Sequence, residues 1–63
     1  MILNGEYISL QDISLQDLLV QYGWSADLIA LEVNGKIIPR SEFDTLILRQ
    51  DDRIEIVSFV GGG

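Results

Sequence analysis

Ala30-Leu31-Glu32-Val33-Asn34-Gly35-Lys36-Ile37-Ile38-Pro39 is the stretch that decides the fold of this chain. Asn-Gly favours a type I′ turn, because both central residues of that turn need a positive φ. The apolar run 28–33 before the turn predicts a central strand, and residues 36–38 after it predict a short partner strand. Pro39 has no N–H to donate, which confines the second strand to a sheet edge.

A second Asn-Gly pair, Asn4-Gly5, predicts another hairpin within residues 1–10. Because side chains alternate along a strand, Met1 and Leu3 should share one face with Ile8 and Leu10, and Ile2 should point to the opposite face. The chain therefore opens with two short strands that belong to a sheet.

A helix is predicted to begin after Ser14, which is a good N-cap residue with Asp17 three positions later. Four apolar residues then follow at i, i+3, i+4 and i+7 and predict one buried stripe: Leu15, Leu18, Leu19 and Tyr22. Gly23 suits the left-handed residue that ends such a helix.

Beyond the central hairpin, Ser41-Glu42-Phe43-Asp44 predicts a capped single turn, of the 3₁₀ type, with Phe43 directed inward. Asp51-Asp52 predicts a polar turn. Residues 53–60 form the longest strand-like run, rich in Ile, Val and Phe. Together these elements predict one α+β domain over residues 1–60, with one helix packed across a sheet of four or five strands.

The final strand has two faces with different roles. Ile54 and Ile56 should face the helix, which leaves Val57 and Phe59 on the open face of the sheet. The neighbours expected on that face are Ile2, Ala30, Glu32 and Glu55. An apolar patch rimmed by charge is typical of a docking surface, although one or two exposed apolar side chains also occur without any function.

Residues 61–63 are three glycines, which we expect to form a flexible tail. They have no side chain that could pack in a core or take part in catalysis. Their distinctive group is the α-carboxylate of Gly63, at the end of a segment without side chains that can enter a narrow cleft. The alternative is that they are an idle chain end.

Composition excludes several classes of function. Ten acidic residues and four basic ones give a net charge of −6. This charge disfavours nucleic acid and membrane surfaces as partners and favours a basic protein surface. The alternative is that the acidic residues only form a solvated face that keeps the protein soluble. The chain has no Cys and no His, so thiolate chemistry and the usual zinc sites are absent. No apolar run approaches the roughly 20 residues that span a bilayer, and we expect a soluble, cytoplasmic protein.

A resemblance to a known family extends over essentially the whole chain and is carried by five segments: Leu3-Asn4-Gly5-Glu6, Ser14 to Leu19, Ala30 to Arg40, Asp52 to Val57, and Gly62-Gly63. The chain resembles the ThiS-type sulfur carriers of thiamine biosynthesis, within the ThiS/MoaD family. The resemblance implies a ubiquitin-like β-grasp: a mixed four- to five-stranded sheet with its first and last strands parallel, and one helix across one face.

The resemblance also implies how such a protein works. An E1-like adenylyltransferase of the ThiF or MoeB type would use ATP to adenylate Gly63. A sulfur donor such as a cysteine desulfurase system would then leave a thiocarboxylate, which a thiazole synthase of the ThiG type consumes. Gly61 and Gly62 would thread the enzyme's cleft, and Val57 would contact the enzyme while Phe59 and Val60 flank the entry. The carrier itself would have no catalytic residue, no metal and no bound cofactor.

One residue departs from the family pattern, since position 61 is a third glycine where such proteins often have another residue. Two other functions stay open. The chain could carry sulfur for another pathway, such as molybdopterin or amino-acid sulfur delivery, although molybdopterin carriers are generally longer. It could instead be a ubiquitin-like modifier or adaptor bound through Val57 and Phe59. An enzyme is disfavoured, because no pair of carboxylates has a recognisable acid and base assignment.

Overall fold

A computed structural model describes residues 1–59 of the chain. Seven short strands and one α-helix follow in chain order: β1 (Ile2–Leu3), β2 (Glu6–Tyr7), β3 (Ile13–Ser14), α1 (Leu15–Tyr22), β4 (Ile29–Val33), β5 (Lys36–Ile38), β6 (Ile47–Leu48) and β7 (Arg53–Ser58). Two 3₁₀ turns complete the described elements, at Ala26–Leu28 and Arg40–Thr45.

Five of the strands form one mixed sheet in the order β2-β1-β7-β4-β5. Its centre is the parallel pair β1 and β7, and the remaining neighbours are antiparallel. The predicted β-grasp is confirmed, as is the placement of the strand before Pro39 at an edge. β3 and β6 pair separately as a second, two-stranded sheet, which was not predicted because two-residue strands are too short to show a periodic pattern.

Both predicted Asn-Gly hairpins are confirmed. Asn4 and Asn34 have φ values of 51° and 52°, and the glycines after them also have positive φ. In the second hairpin Val33 lies opposite Lys36, as a two-residue turn requires. The predicted central strand is one residue shorter than expected, because Leu28 belongs to the 3₁₀ turn and β4 begins at Ile29.

The helix begins and ends as predicted. The Ser14 hydroxyl oxygen accepts a hydrogen bond of 3.1 Å from the Asp17 N–H, and Gly23 closes the helix in the left-handed region with φ 74°. The prediction that Tyr22 completes the buried stripe is wrong. Tyr22 is 40% exposed and its ring stacks on that of Trp24, with centroids 5.1 Å apart, while Trp24 packs against the core.

The core lies between α1 and the inner face of the larger sheet. It contains Met1, Leu3, Leu15, Leu18, Leu19, Ile29, Leu31, Phe43, Leu48, Ile54 and Ile56. Ile54 and Ile56 are both buried, as the alternation along the last strand predicted. This burial determines which face of β7 is left for other contacts.

The second 3₁₀ turn corrects one detail of the sequence interpretation. Phe43 is buried as predicted, but the turn runs over Arg40–Thr45, begins after Pro39 and has no side-chain cap. The Glu42 N–H donates to the Pro39 carbonyl at 2.9 Å, which is the first backbone hydrogen bond of this turn. Within residues 1–59, no helix has the length and hydropathy that a bilayer crossing requires.

Candidate functional site

The described residues include only part of the predicted site. Val57 and Phe59 lie within residues 1–59, whereas Val60, Gly61, Gly62 and Gly63 lie outside the described residues. The geometry that follows is therefore that of β7 and of the sheet face beside it.

The open face of the sheet has exposed apolar side chains at the end of β7. Val57 is 59% exposed and Phe59 is 66% exposed, although both belong to residue types that are usually buried. Val57 lies opposite Ala30 on β4, and the Phe59 N–H donates to the Leu28 carbonyl at 2.8 Å, which continues the pairing past the strand. The expected apolar patch around Val57 is thus present.

Acidic side chains occupy the middle of the same face. Glu32 and Glu55 lie directly opposite each other on β4 and β7, an arrangement of like charges that weakens a sheet. A cavity of about 580 Å³ opens here, lined by Ile2, Glu32, Asn34, Gly35, Asp51, Arg53 and Glu55. Ile2 lies opposite Arg53. Ile2, Ala30, Glu32 and Glu55 therefore share the open face as predicted, with Ile2 and the two glutamates around this cavity.

Two exposed apolar residues on this face were missed from the sequence. Ile37 is 78% exposed and lies opposite Glu32, and Tyr7 is 73% exposed and lies opposite Ile2. The two-residue Asn34-Gly35 turn already determines that position 37 pairs with position 32, so a register argument would have found Ile37. The apolar part of the face is wider than Val57 and Phe59 alone.

Two asparagine side chains hold β7 in place, one near each end. The Asn34 side-chain oxygen accepts from the Arg53 N–H at 2.9 Å, and its amide donates to Asp52 at 2.9 Å. The Asn4 side-chain oxygen accepts from the Ile56 N–H at 2.8 Å. Both asparagines come from the Asn-Gly turns, so each turn also anchors the strand that leads to the glycines.

An ion pair holds the loop that precedes β7. Arg49 donates to the Asp12 carboxylate at 3.0 Å, and the Gln50 N–H donates to its other oxygen at 3.0 Å. The Arg49 hydrogen bond, followed by the Gln50 bond, holds the pKa of Asp12 below its ordinary value of 3.8. Both side chains are well exposed, which makes this a weak structural contact and not a reactive centre.

Residues 1–59 present exposed apolar side chains with carboxylates between them. No group of three or more His, Cys, Asp or Glu side chains within that range is arranged to hold a metal ion. The exposed apolar side chains and the carboxylates between them can bind a partner protein, and β7 directs the chain toward the terminal glycines.

Comparisons with known proteins agree on one family. The family model described as "ThiS family" matches residues 1–63. A thiazole synthase of Magnetococcus marinus is 36% identical over 62 residues, which are 97% of this chain but 19% of that protein, so the chain spans about a fifth of this relative's length. The sulfur carrier protein ThiS of Bacillus subtilis is 40% identical over 50 residues, which cover 79% of this chain and 76% of that protein.

A solved structure has the same architecture. The crystal structure of the thiamine biosynthesis protein ThiS from Geobacter metallireducens superimposes with a TM-score of 0.80 and 26% sequence identity. The match covers 98% of this chain and 96% of that one. The family match over the whole length, the β-grasp sheet and this superposition lead to one conclusion: the chain belongs to the ThiS family.

Proposed function

We propose that this protein carries sulfur for the synthesis of the thiazole of thiamine, bound as a thiocarboxylate on Gly63. The observation that carries the proposal is the match of the ThiS family model to residues 1–63, which includes the terminal glycines. The names of the relatives support it, because they include a sulfur carrier and thiazole synthases.

The chemistry requires activation of the Gly63 carboxylate. A carboxylate resists nucleophilic attack, because it carries a negative charge and is stabilised by resonance. One of its oxygens attacks the α-phosphorus of ATP, and pyrophosphate leaves, which gives an acyl-adenylate with AMP as a good leaving group. Hydrosulfide then attacks the acyl carbon and AMP departs, so the products are the thiocarboxylate, AMP and a proton. The carrier supplies the acyl group, and partner enzymes supply the catalytic residues.

Gly61 and Gly62 would pass through the narrow cleft of the activating enzyme, where a Cβ would clash. The docking surface would be the open face next to Val57 and Phe59, with Val60 at the entry to the cleft. The exposure of Val57 and Phe59 supports this role, since the two side chains lie on the face opposite the core. The enzyme that adenylates Gly63 would be E1-like, of the ThiF or MoeB type. A cysteine desulfurase system would provide the sulfur as a persulfide, and a thiol reductant would supply the two electrons that release it as hydrosulfide.

The acceptor of the sulfur would be a thiazole synthase of the ThiG type. Two relatives that are named thiazole synthase contain a segment that aligns with 97% and 100% of this chain. Similarity to a segment of the acceptor enzyme itself favours the thiamine pathway over a molybdopterin or amino-acid pathway. We expect this carrier to work in the cytoplasm.

Intact-mass spectrometry tests the proposal. The purified chain is incubated with an E1-like adenylyltransferase of the ThiF type, ATP and sulfide. We expect the mass increment of one oxygen replaced by sulfur, located on Gly63 by fragmentation. The chain without Gly63 should show no increment, and a chain with Gly62→Trp should show little, while both keep the melting temperature of the unchanged protein.

Two results would contradict the proposal. Isopeptide-linked adducts to lysines without any thiocarboxylate would identify a ubiquitin-like modifier. A thiocarboxylate whose sulfur is taken up by a molybdopterin-forming enzyme and not by a thiazole synthase would place the carrier in the other pathway.

A further inference from the structure

The strand β7 extends well past its parallel neighbour. β1 ends at Leu3, which lies opposite Ile54, whereas β7 continues to Ser58. The last four residues of β7 therefore lack a neighbouring strand on the β1 side. These are the residues that lead directly to the terminal glycines.

Asn4 continues the hydrogen bonding to β7 beyond the end of β1. Its backbone N–H donates to the Ile54 carbonyl at 2.8 Å, and its side-chain oxygen accepts from the Ile56 N–H at 2.8 Å. In a parallel pair the next acceptor for Ile56 would be a backbone carbonyl of the neighbouring strand. Here the chain turns away with Asn4 at φ 51°, and the side chain supplies the acceptor that the backbone no longer provides.

On its other side β7 is held by β4 up to Ser58, and the Phe59 N–H donates to the Leu28 carbonyl. Alternation along the strand points the backbone groups of even-numbered residues toward β1. Beyond Ile54, the contact with Asn4 is the one hydrogen bond that the described residues make on this side of β7. A single side-chain bond thus completes the anchoring of the strand end.

We infer that Asn4 is a positioning residue for activation of the C-terminus. By holding Ile56, it sets the direction of the segment that carries Val57 and Phe59 and that continues to Gly63. An activating enzyme binds this segment in one conformation. Its affinity is higher when the carrier already holds the segment in that conformation, because less conformational freedom is lost on binding. This inference rests on the proposed function, since it concerns the same docking and the same terminal carboxylate.

The chain offers a matched control in Asn34. It has the same Asn-Gly context and nearly the same φ, and its side-chain oxygen also accepts a β7 N–H, that of Arg53. It holds the start of β7, at Arg53, three residues before Ile56. Asn34→Gly removes two side-chain hydrogen bonds, to Arg53 and to Asp52, so its effect on overall stability should equal or exceed that of Asn4→Gly.

The informative variants are Asn4→Gly, Asn4→Asp and Asn34→Gly. Glycine keeps the positive φ and removes the acceptor, whereas aspartate tolerates the same φ and keeps an acceptor oxygen. Amide hydrogen exchange at residues 56–59 reports the anchoring directly. Loss of one hydrogen bond of ordinary strength should lower protection there about two- to tenfold in Asn4→Gly. Asn4→Asp should restore it, and Asn34→Gly should leave it unchanged.

Kinetics with an E1-like adenylyltransferase that activates the unchanged chain give the functional readout, followed as pyrophosphate release. We expect KM for the carrier to rise about two- to tenfold in Asn4→Gly, with kcat little changed, because the enzyme then orders the segment itself. Asn4→Asp should return KM close to that of the unchanged chain, and Asn34→Gly should raise KM less than Asn4→Gly does.

The possible failures can be told apart. If the unchanged chain is not adenylated at all, the proposed function is wrong and this inference falls with it. If the unchanged chain is adenylated but Asn4→Gly and Asn34→Gly have equal KM values, Asn4 has only a structural role. Unchanged exchange protection at residues 56–59 in Asn4→Gly would also overturn the inference.

Discussion

Val57→Asp should separate docking from folding. Val57 is 59% exposed, so folding buries less than half of its side chain. Full burial of a valine side chain contributes about 1.5–3 kcal/mol, and the part already buried in the fold therefore contributes about 1 kcal/mol. We expect the substitution to lower the free energy of unfolding by about that amount, which is about 4–8 °C in melting temperature for a domain of this size.

The effect on binding should be larger than the effect on folding. The exposed part of Val57 has about another 1 kcal/mol to contribute when a partner covers it. An aspartate there loses this term, and its carboxylate must also lose water at an apolar contact, which costs about 1–3 kcal/mol. The sum of about 2–4 kcal/mol corresponds to a dissociation constant raised about 30- to 1,000-fold.

Titration calorimetry of the carrier with its E1-like enzyme measures this directly, together with pyrophosphate release at varied carrier concentration. Val20→Asp is the matched control, since Val20 is 79% exposed on the helix and the substitution changes the net charge of −6 by the same one unit. If Val57→Asp and Val20→Asp bind the enzyme equally well, the open face near β7 is not the docking surface.

Three further substitutions test the fold. Ser14→Ala removes the oxygen that caps α1 and should cost about 1 kcal/mol, whereas Ser41→Ala at the uncapped 3₁₀ turn should cost little; equal melting temperatures would contradict the assigned cap. Phe43→Ala leaves a cavity at a buried position and should lower the free energy of unfolding, measured in urea, by about 3–5 kcal/mol, which would leave a protein of this size barely folded. A decrease below about 1 kcal/mol would show that Phe43 does not pack in the core. The Arg49 bond lowers the pKa of Asp12 in the folded chain. Its stabilising effect is therefore complete above the ordinary pKa of 3.8 and is lost as the pH falls through the lower folded value. Asp12→Asn should therefore make stability less dependent on pH below about 4, and unchanged acid unfolding would contradict this.

Much of the fold followed from local sequence patterns. Asn4-Gly5 and Asn34-Gly35 predicted both hairpins, because few other dipeptides tolerate two successive residues with positive φ. Ser14 and Gly23 predicted the two ends of the helix by capping chemistry that involves only neighbouring residues. Alternation along residues 53–58 predicted which side chains of β7 enter the core, since successive side chains of a strand point to opposite faces.

Other features required contacts between distant parts of the chain. The pairing of β3 with β6 joins two-residue strands more than 30 positions apart, and such short strands carry no pattern that identifies a partner. Tyr22 has the spacing of a core residue, yet it is 40% exposed and stacks on Trp24, and it is Trp24 that packs against the core.

The sequence by itself determined the helix, the two hairpins, the faces of the last strand and, through its terminal glycines and segment motifs, the family. Only the tertiary structure decided what the two turn asparagines do with their side chains. A positive φ accounts for an asparagine at positions 4 and 34, but the Asn4 bond to Ile56 spans 52 positions and exists only because β1 and β7 lie side by side. Hydrogen bonds of this kind depend on which backbone groups are left unpaired once the sheet has formed, and that is a property of the fold and not of any local segment.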